Sequence, residues 1–219
     1  MVRQSVSGVG VLDKAVAILD ALEQQPLALV GLVEATGLSR ATAHRLATAL
    51  EGHDLVSRDG GGRFTLGPRL VRRSLGEAAG PALAELRDAT GESAQLYVHH
   101  QGGSRLCVVA LESPHSLRTI VPAGAVLPLD QGSAGRVLRG EPATLRRGWV
   151  QSVEEREPGV ASVSAPVFRD GSVVAAVSVS GPIERTTRTP GRRYAPAVAI
   201  AARRVEAAMG WTSPPTAVP

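Results

Sequence analysis

The stretch GLSRATAHRLATAL, residues 37–50, decides how the first third of the chain is read. Gly37 has no Cβ and enters the left-handed backbone region without strain, which suits it to close one helix and turn the chain. Ser39 stands where a hydroxyl can accept a free backbone N–H of the next helix's first turn. Ala43, Leu46, Ala47 and Leu50 recur at the three- and four-residue spacing of a buried helical face. That spacing leaves Arg40, Thr42, His44 and Arg45 on the outward side, near the helix start.

Working outward, VLDKAVAILDALE (11–23) places Leu12, Ala15, Val16, Leu19 and Leu22 at helical spacing and is ended by Pro26. A second short helix follows on Leu29, Leu32 and Val33. After residue 54, LVSRD and RFTLG alternate as short strands joined by Gly60, Gly61 and Gly62. Helix, helix, turn, helix, hairpin is the order of a winged helix-turn-helix, whose third helix enters the major groove with its first turns against the bases. Ser39, Arg40, Thr42, His44 and Arg45 then face DNA. Arginine forks onto guanine or grips phosphate, threonine meets phosphate or a thymine methyl, and histidine donates to a base acceptor. Arg58 and Arg63 flank the wing tip, where backbone or minor-groove contact is expected.

Charge is distributed to match. Lys14 is the only lysine, so arginine supplies almost all of the positive charge. Residues 38–73 carry seven arginines against Glu51, Asp54 and Asp59, whereas residues 1–37 are net acidic. A cationic segment coinciding with the helix-turn-helix is what a phosphate-binding surface requires. A helix-turn-helix used only for protein contact is the competing reading.

Composition bounds the rest. The 219 residues, 43% hydrophobic, suffice for one large or two small cores. No run approaches the ~18–20 apolar residues of a membrane span, and MVRQSVSGVG lacks the apolar block of a secretory signal. A soluble cytoplasmic protein with no membrane association is expected. Cys107 is the only cysteine, which excludes an internal disulfide or a cysteine cluster, and its place in LCVVAL reads as a small buried hydrophobe. Fragments that imitate catalytic motifs fail on spacing. GVGVLD has Asp13 where a dinucleotide fingerprint needs its third glycine, and QGSAGR has Gln131 where a nucleophile elbow needs its first. His99 and His100 are adjacent and point to opposite faces of a strand, which is poor for shared metal ligation. The chain therefore reads as a non-enzyme with no catalytic residue, metal or cofactor.

PRLVRRSLGEAAGPALAELRDATGES reads as a helical connector interrupted at Gly80 and Pro81. Beyond it, SAQLYVHH and SRLCVVALES look like one pair of strands, and GVASVSAPVF and SVVAAVSVSGP like another. PGRRYAPAVAIAARRVEAAM (190–209) looks like a closing helix. Strands and helices without strict alternation point to an antiparallel α+β domain. The organisation expected is a winged domain over 1–68, a linker helix over 69–79 and a second domain over 80–219.

ESPHSLRTIVPAGAVLPLDQGSAGRVL, GWVQSVEEREPGVASVSAPVF and VVAAVSVSGPIERTTRTPGRRYAPAV strongly resemble the effector-binding domain of the isocitrate-lyase-regulator (IclR) family of bacterial transcription factors. The N-terminal segments resemble the same family's winged domain. RQSVSGVGVLDKA, GESAQLY and REPGVASVSAPV look most like the subgroup regulating leucine and other amino-acid biosynthesis. The resemblance implies an α+β chain: an N-terminal winged helix-turn-helix plus a C-terminal GAF-like antiparallel-sheet effector-binding domain. It implies a homodimer or dimer of dimers on a palindromic double-stranded DNA operator, with a small-molecule effector, an amino acid or keto acid. Carried over by motif, the effector positions are Leu129, Ser133, Ala134, Ser152, Ser162, Ser178 and Ser180. Ser178 and Ser180, two apart on a strand, face one side while Val177 and Val179 face the other. The sequence departs from the family in placing Ser152 where an acidic residue is common and in shortening the segment between GRVL and RRGW. The alternatives are a ligand-independent regulator with a degenerate sensor, or a small-molecule-binding or enzymatic module.

Overall fold

The computed structural model describes residues 7–169 and 171–211, and the chain divides into two units, Met1–Ser74 and Leu75–Pro219. In the first unit, helices α1 (Gly10–Gln24), α2 (Leu29–Thr36) and α3 (Arg40–Gly52) precede a hairpin of β1 (Val56–Arg58) and β2 (Phe64–Leu66). Gly37 closes α2 in the left-handed conformation at φ 68°, donating its N–H to Val33 O. Ser39 caps α3, its side chain accepting from the Thr42 N–H. Ala43, Leu46, Ala47 and Leu50 point inward and join Ile18, Leu22, Leu32, Val56 and Phe64 in the core.

Two details differ from the sequence reading. On α1 the buried stripe runs through Ile18 and Leu22, whereas Leu12 and Val16 are exposed. The chain between α1 and α2 also adds a β-bridge to the wing, Leu27 and Phe64 exchanging backbone hydrogen bonds of 2.9 and 2.8 Å. That bridge joins residues 37 positions apart, so no local pattern announces it.

Helix α4 (Pro68–Thr90) runs unbroken through Gly80 and Pro81, and the boundary between the units falls inside it. An interior proline costs a helix about 3 kcal/mol. Leu75, Leu83 and Leu86 are buried against the sheet, together with Ala79 and Ala82. Burying each leucine is worth about 1.5–3 kcal/mol, so packing outweighs the break.

The second unit is a six-stranded antiparallel sheet in the order β5-β4-β3-β8-β7-β6. Its strands are β3 (Ser93–His100), β4 (Ser104–Leu111), β5 (Val126–Pro128), β6 (Val150–Val153), β7 (Val160–Arg169) and β8 (Ser172–Pro182). Short helices α5 (Gly132–Leu138), α6 (Pro142–Arg147) and α7 (Ile183–Thr186) interrupt it, and α8 (Pro190–Ala208) closes the chain. Alternation assigns the faces. Ala94, Leu96, Val98, Val163, Ala165, Val167, Ala175, Val177 and Val179 bury against α4 and α8. Tyr97, Cys107 and Ala176 face the other way, towards Ala134, Val137 and Leu138 of α5. Among the described residues no helix is long and apolar enough to cross a membrane.

Candidate functional site

The first unit presents the outward side of α3. Arg40, His44 and Arg45 are exposed, and among the described residues none of them makes a hydrogen bond or ion pair. Thr42 is different: it is half-buried and its Oγ1 lies 2.9 Å from Ser39 Oγ, so its hydroxyl belongs to the cap. The wing arginines are also engaged. Arg58 Nε donates to both carboxylate oxygens of Glu51 at 3.3 Å, and its guanidinium sits 4.2 Å over the Phe64 ring. Arg63 Nε donates to Asp59 Oδ2 at 2.7 Å. The backbone N–H and side chain of Arg63 hold the Asp59 carboxyl below its ordinary value. Of the arginines read as facing DNA, those on α3 are therefore unpaired and those on the wing are paired.

The second unit carries a ladder of hydroxyls on the α5 side of the sheet. Cross-strand register sets Ser152 opposite Ser162, Ser162 opposite Ser180, and Ser180 opposite Ser93, one serine from each of four neighbouring strands. The adjacent row pairs Ser164 with Ser178 and Ser178 with Gln95. Directly opposed side chains on one face lie close enough to bond. Ser133 Oγ, delivered by α5, lies 2.7 Å from both Ser162 Oγ and Ser164 Oγ. Ser152 Oγ accepts from the Ser133 N–H at 3.0 Å and lies 2.9 Å from Ser162 Oγ. Ser164 Oγ donates to Ser178 Oγ at 2.9 Å, and Ser180 Oγ donates to Gln95 Oε1 at 3.2 Å.

Of these side chains Ser133, Ser152, Ser162, Ser178 and Ser180 line one cavity of about 30 Å³, shared with Tyr97, Arg105, Ala134 and Arg156. Ser133, Ala134, Ser152, Ser162, Ser178 and Ser180 are thus brought together, whereas Leu129 is outside the lining and packs against the α5 cluster. A water needs about 10–15 Å³ of such volume, so the cavity has room for water but not for an amino acid.

Tyr97, Gln95, Ser164 and Arg105 were missed from sequence. The signal for Arg105 is its phase: it alternates with Cys107 along β4 on the buried side, where an apolar residue belongs. Arg105 is 2% exposed and sits 5.4 Å over the Tyr97 ring. Burial lowers its pKa, and burial raises that of Tyr97. Burial also pushes the Cys107 thiol up to about 12, so it is protonated and inert as a nucleophile near neutrality. Ser133 Oγ, the other nucleophile candidate, is held by serines and has no histidine partner. His99 Nε2 lies 2.9 Å from Leu138 O.

Residues 11–60 match the IclR helix-turn-helix domain and residues 142–207 match the bacterial transcriptional regulator IclR C-terminal domain. The glycerol operon regulatory protein of Streptomyces griseus is 32% identical over 80% of this chain and 85% of its own length. The chain belongs to the IclR family. This IclR-family chain also resembles the HTH-type transcriptional regulator BhcR of Paracoccus denitrificans, 27% identical over 92% of this chain and 88% of that protein. An IclR-family protein of Rhodococcus sp. superposes with a TM-score of 0.60 at 27% identity, covering 94% of this chain and 96% of the other. The fold is the IclR one, an N-terminal helix-turn-helix followed by an antiparallel-sheet domain, and the family's members are DNA-binding transcriptional regulators. None of these three relatives carries an amino-acid-biosynthesis name, so the leucine-type resemblance finds no support among them.

Proposed function

We propose that this IclR-family chain is a ligand-responsive, cytoplasmic transcriptional regulator rather than an enzyme. In this reading residues 1–68 bind a palindromic operator, residues 69–79 link, and residues 80–219 bind the effector and hold a homodimer or dimer of dimers. The observation that carries the first half is the unpaired cationic side of α3, where Arg40, His44 and Arg45 stand exposed beyond a capped N-terminus. Ser39 and Thr42 build that cap, and Arg58 and Arg63 reach phosphate by exchanging their carboxylate partners. The hydroxyl-lined cavity supports the second half, with an amino acid or keto acid as effector. Entry of such a ligand breaks the contacts of Ser133 with Ser162 and Ser164.

For the target, the motifs point to amino-acid or secondary metabolism, and the name of the Streptomyces relative points to a glycerol operon. Gel-shift titration against the DNA upstream of its own coding region and of neighbouring operons tests the regulator reading. Nanomolar binding to one such fragment over bulk DNA is the supporting result. A second reading, a ligand-independent regulator, is favoured by the cavity's small volume of about 30 Å³. Titration of the DNA complex with amino and keto acids separates the two, because only the first releases or tightens DNA.

A further inference from the structure

A second cleft of the second unit lies at the β6 edge of the sheet, lined by Arg136, Arg147, Trp149, Gln151, Thr189 and Arg192. Its volume of about 320 Å³ reaches the range of small-molecule sites. It is separate from the serine-lined cavity. Along β6, Ser152 turns towards that cavity, while Gln151 turns the other way and meets the start of α8.

Every polar side chain in the cleft can donate a hydrogen bond, and no carboxylate lines it. Arg136 is already balanced: it pairs with Glu141 at 2.8 Å and Glu155 at 3.3 Å, and its Nη1 donates to Gln151 O. Glu141 is shared with Arg139, and Glu154, just beyond β6, pairs with Arg188. Arg147 and Arg192 are exposed, and among the described residues neither side chain has a hydrogen bond or an ion pair. The cleft thus holds a surplus of two positive charges. The N–H groups of Gly191 and Arg192 are engaged by Gln151 Oε1 and Thr189 O, so side chains rather than the helix end are free to meet a ligand. One wall is aromatic and fixed. Trp149 is half-buried against the core, and its ring lies so close to Gly191 that a Cβ there would overlap it.

We infer that this cleft is a second ligand site and takes a phosphate monoester, with the phosphate between Arg147 and Arg192 and the organic body on the Trp149 ring. A monoester's second ionisation lies near pH 6, so at neutrality it approaches the two negative charges that balance the two arginines. A carboxylate or a sulfate ester brings only one. Three phosphate oxygens also give acceptors to both guanidinium forks, the Thr189 hydroxyl and the Gln151 amide N–H. The site does not depend on what the serine-lined cavity binds.

The test uses the full chain at constant ionic strength, with phenyl phosphate, phenyl sulfate, inorganic phosphate and duplex DNA as probes. Calorimetric titration reads binding, and fluorescence of Trp149 in a Trp211→Phe background reports whether the ligand reaches the ring. Phenyl phosphate should bind saturably and change the Trp149 emission, and should bind more tightly than either phenyl sulfate or inorganic phosphate. Arg147→Ala and Arg192→Ala remove side chains without partners, so both variants should melt like the wild type. Each should weaken phenyl phosphate about fivefold, and the double variant should lose saturable binding. Gly191→Ala displaces the ring and should erase the preference for phenyl phosphate over inorganic phosphate. The inference is overturned if phenyl phosphate does not bind, if it binds the double variant as tightly as the wild type, or if Trp149 emission ignores binding that calorimetry detects. Equal affinity for all three anions overturns it too, and makes the cleft an unselective cationic surface. If phenyl phosphate fails while the double variant loses DNA affinity and salt dependence, the two arginines serve DNA phosphates instead.

Discussion

Arg45 is exposed, has no partner among the described residues, and leaves α3 from its second turn. Its removal therefore costs the fold almost nothing, and any effect on DNA affinity reads a lost contact. Arg45→Ala should weaken binding by about 1–3 kcal/mol if the side chain meets a base edge, with the preference relaxed at that base. Gel-shift titration over single-base variants of the bound fragment measures this, and unchanged affinity would place the groove face elsewhere on α3. Ser39 makes the opposite forecast. Its side chain accepts from the Thr42 N–H at 3.3 Å and touches the Thr42 hydroxyl, so Ser39→Ala removes a cap worth about 1 kcal/mol. Thermal unfolding should show a loss of stability that Arg45→Ala lacks, and equal melting of the two variants would deny the cap.

At the level of elements, the β7–β8 pair meets a buried charge. Glu92 is 2% exposed and accepts from Arg185 Nε at 2.7 Å and Nη2 at 2.8 Å. Gly181, opposite Ala161 in the ladder, lies so close that a Cβ there would overlap the Glu92 carboxylate. Because two hydrogen bonds pin that carboxylate, it cannot yield. Gly181→Ala should destabilise the second unit by about 1–3 kcal/mol, read as a lower denaturation midpoint at an unchanged slope. Stability equal to the wild type would mean that the carboxylate swings free. The same pair marks where sequence reading stops. The three N-terminal helices, the wing and strands β3, β4, β7 and β8 were legible because capping, three-to-four spacing and alternation are local. The Leu27 bridge, short β5 and β6, and the pairing of Glu92 with Arg185 depend on residues far apart in the chain. The Gly80–Pro81 interruption failed for a related reason: its local cost was read correctly, but the buried leucines that override it are set by the sheet. In the cavity, the serines were legible by motif, and alternation along the strand added only that Ser178 and Ser180 share a face. Arg105, and Ser164 and Gln95 that bond the lining serines, became visible only once register aligned their strands.

Across the whole molecule, charge is partitioned more finely than composition tells. Residues 38–73 hold seven arginines and three carboxylates, but Glu51 and Asp59 are spent on Arg58 and Arg63. For Arg58 to grip a phosphate it must leave Glu51, an exposed ion pair worth about 0.2–1 kcal/mol. In the proposed reading, Glu51 would then act as a brake on binding to any DNA, independent of sequence. Glu51→Gln should raise affinity for specific and bulk DNA alike, since it frees Arg58 and removes a negative charge facing the backbone. Arg58→Ala should do the reverse and flatten the plot of log affinity against log salt by about 0.9, the signature of one lost phosphate contact. Arg58→Ala combined with Glu51→Gln should show no benefit from the glutamine through Arg58, so the two effects should not add. The measurement is a salt series on all four proteins with one DNA fragment. Slopes that stay equal across them would take the wing off the phosphates and leave the electrostatic contact to the unpaired arginines outside it, Arg40 and Arg45 of α3 among them.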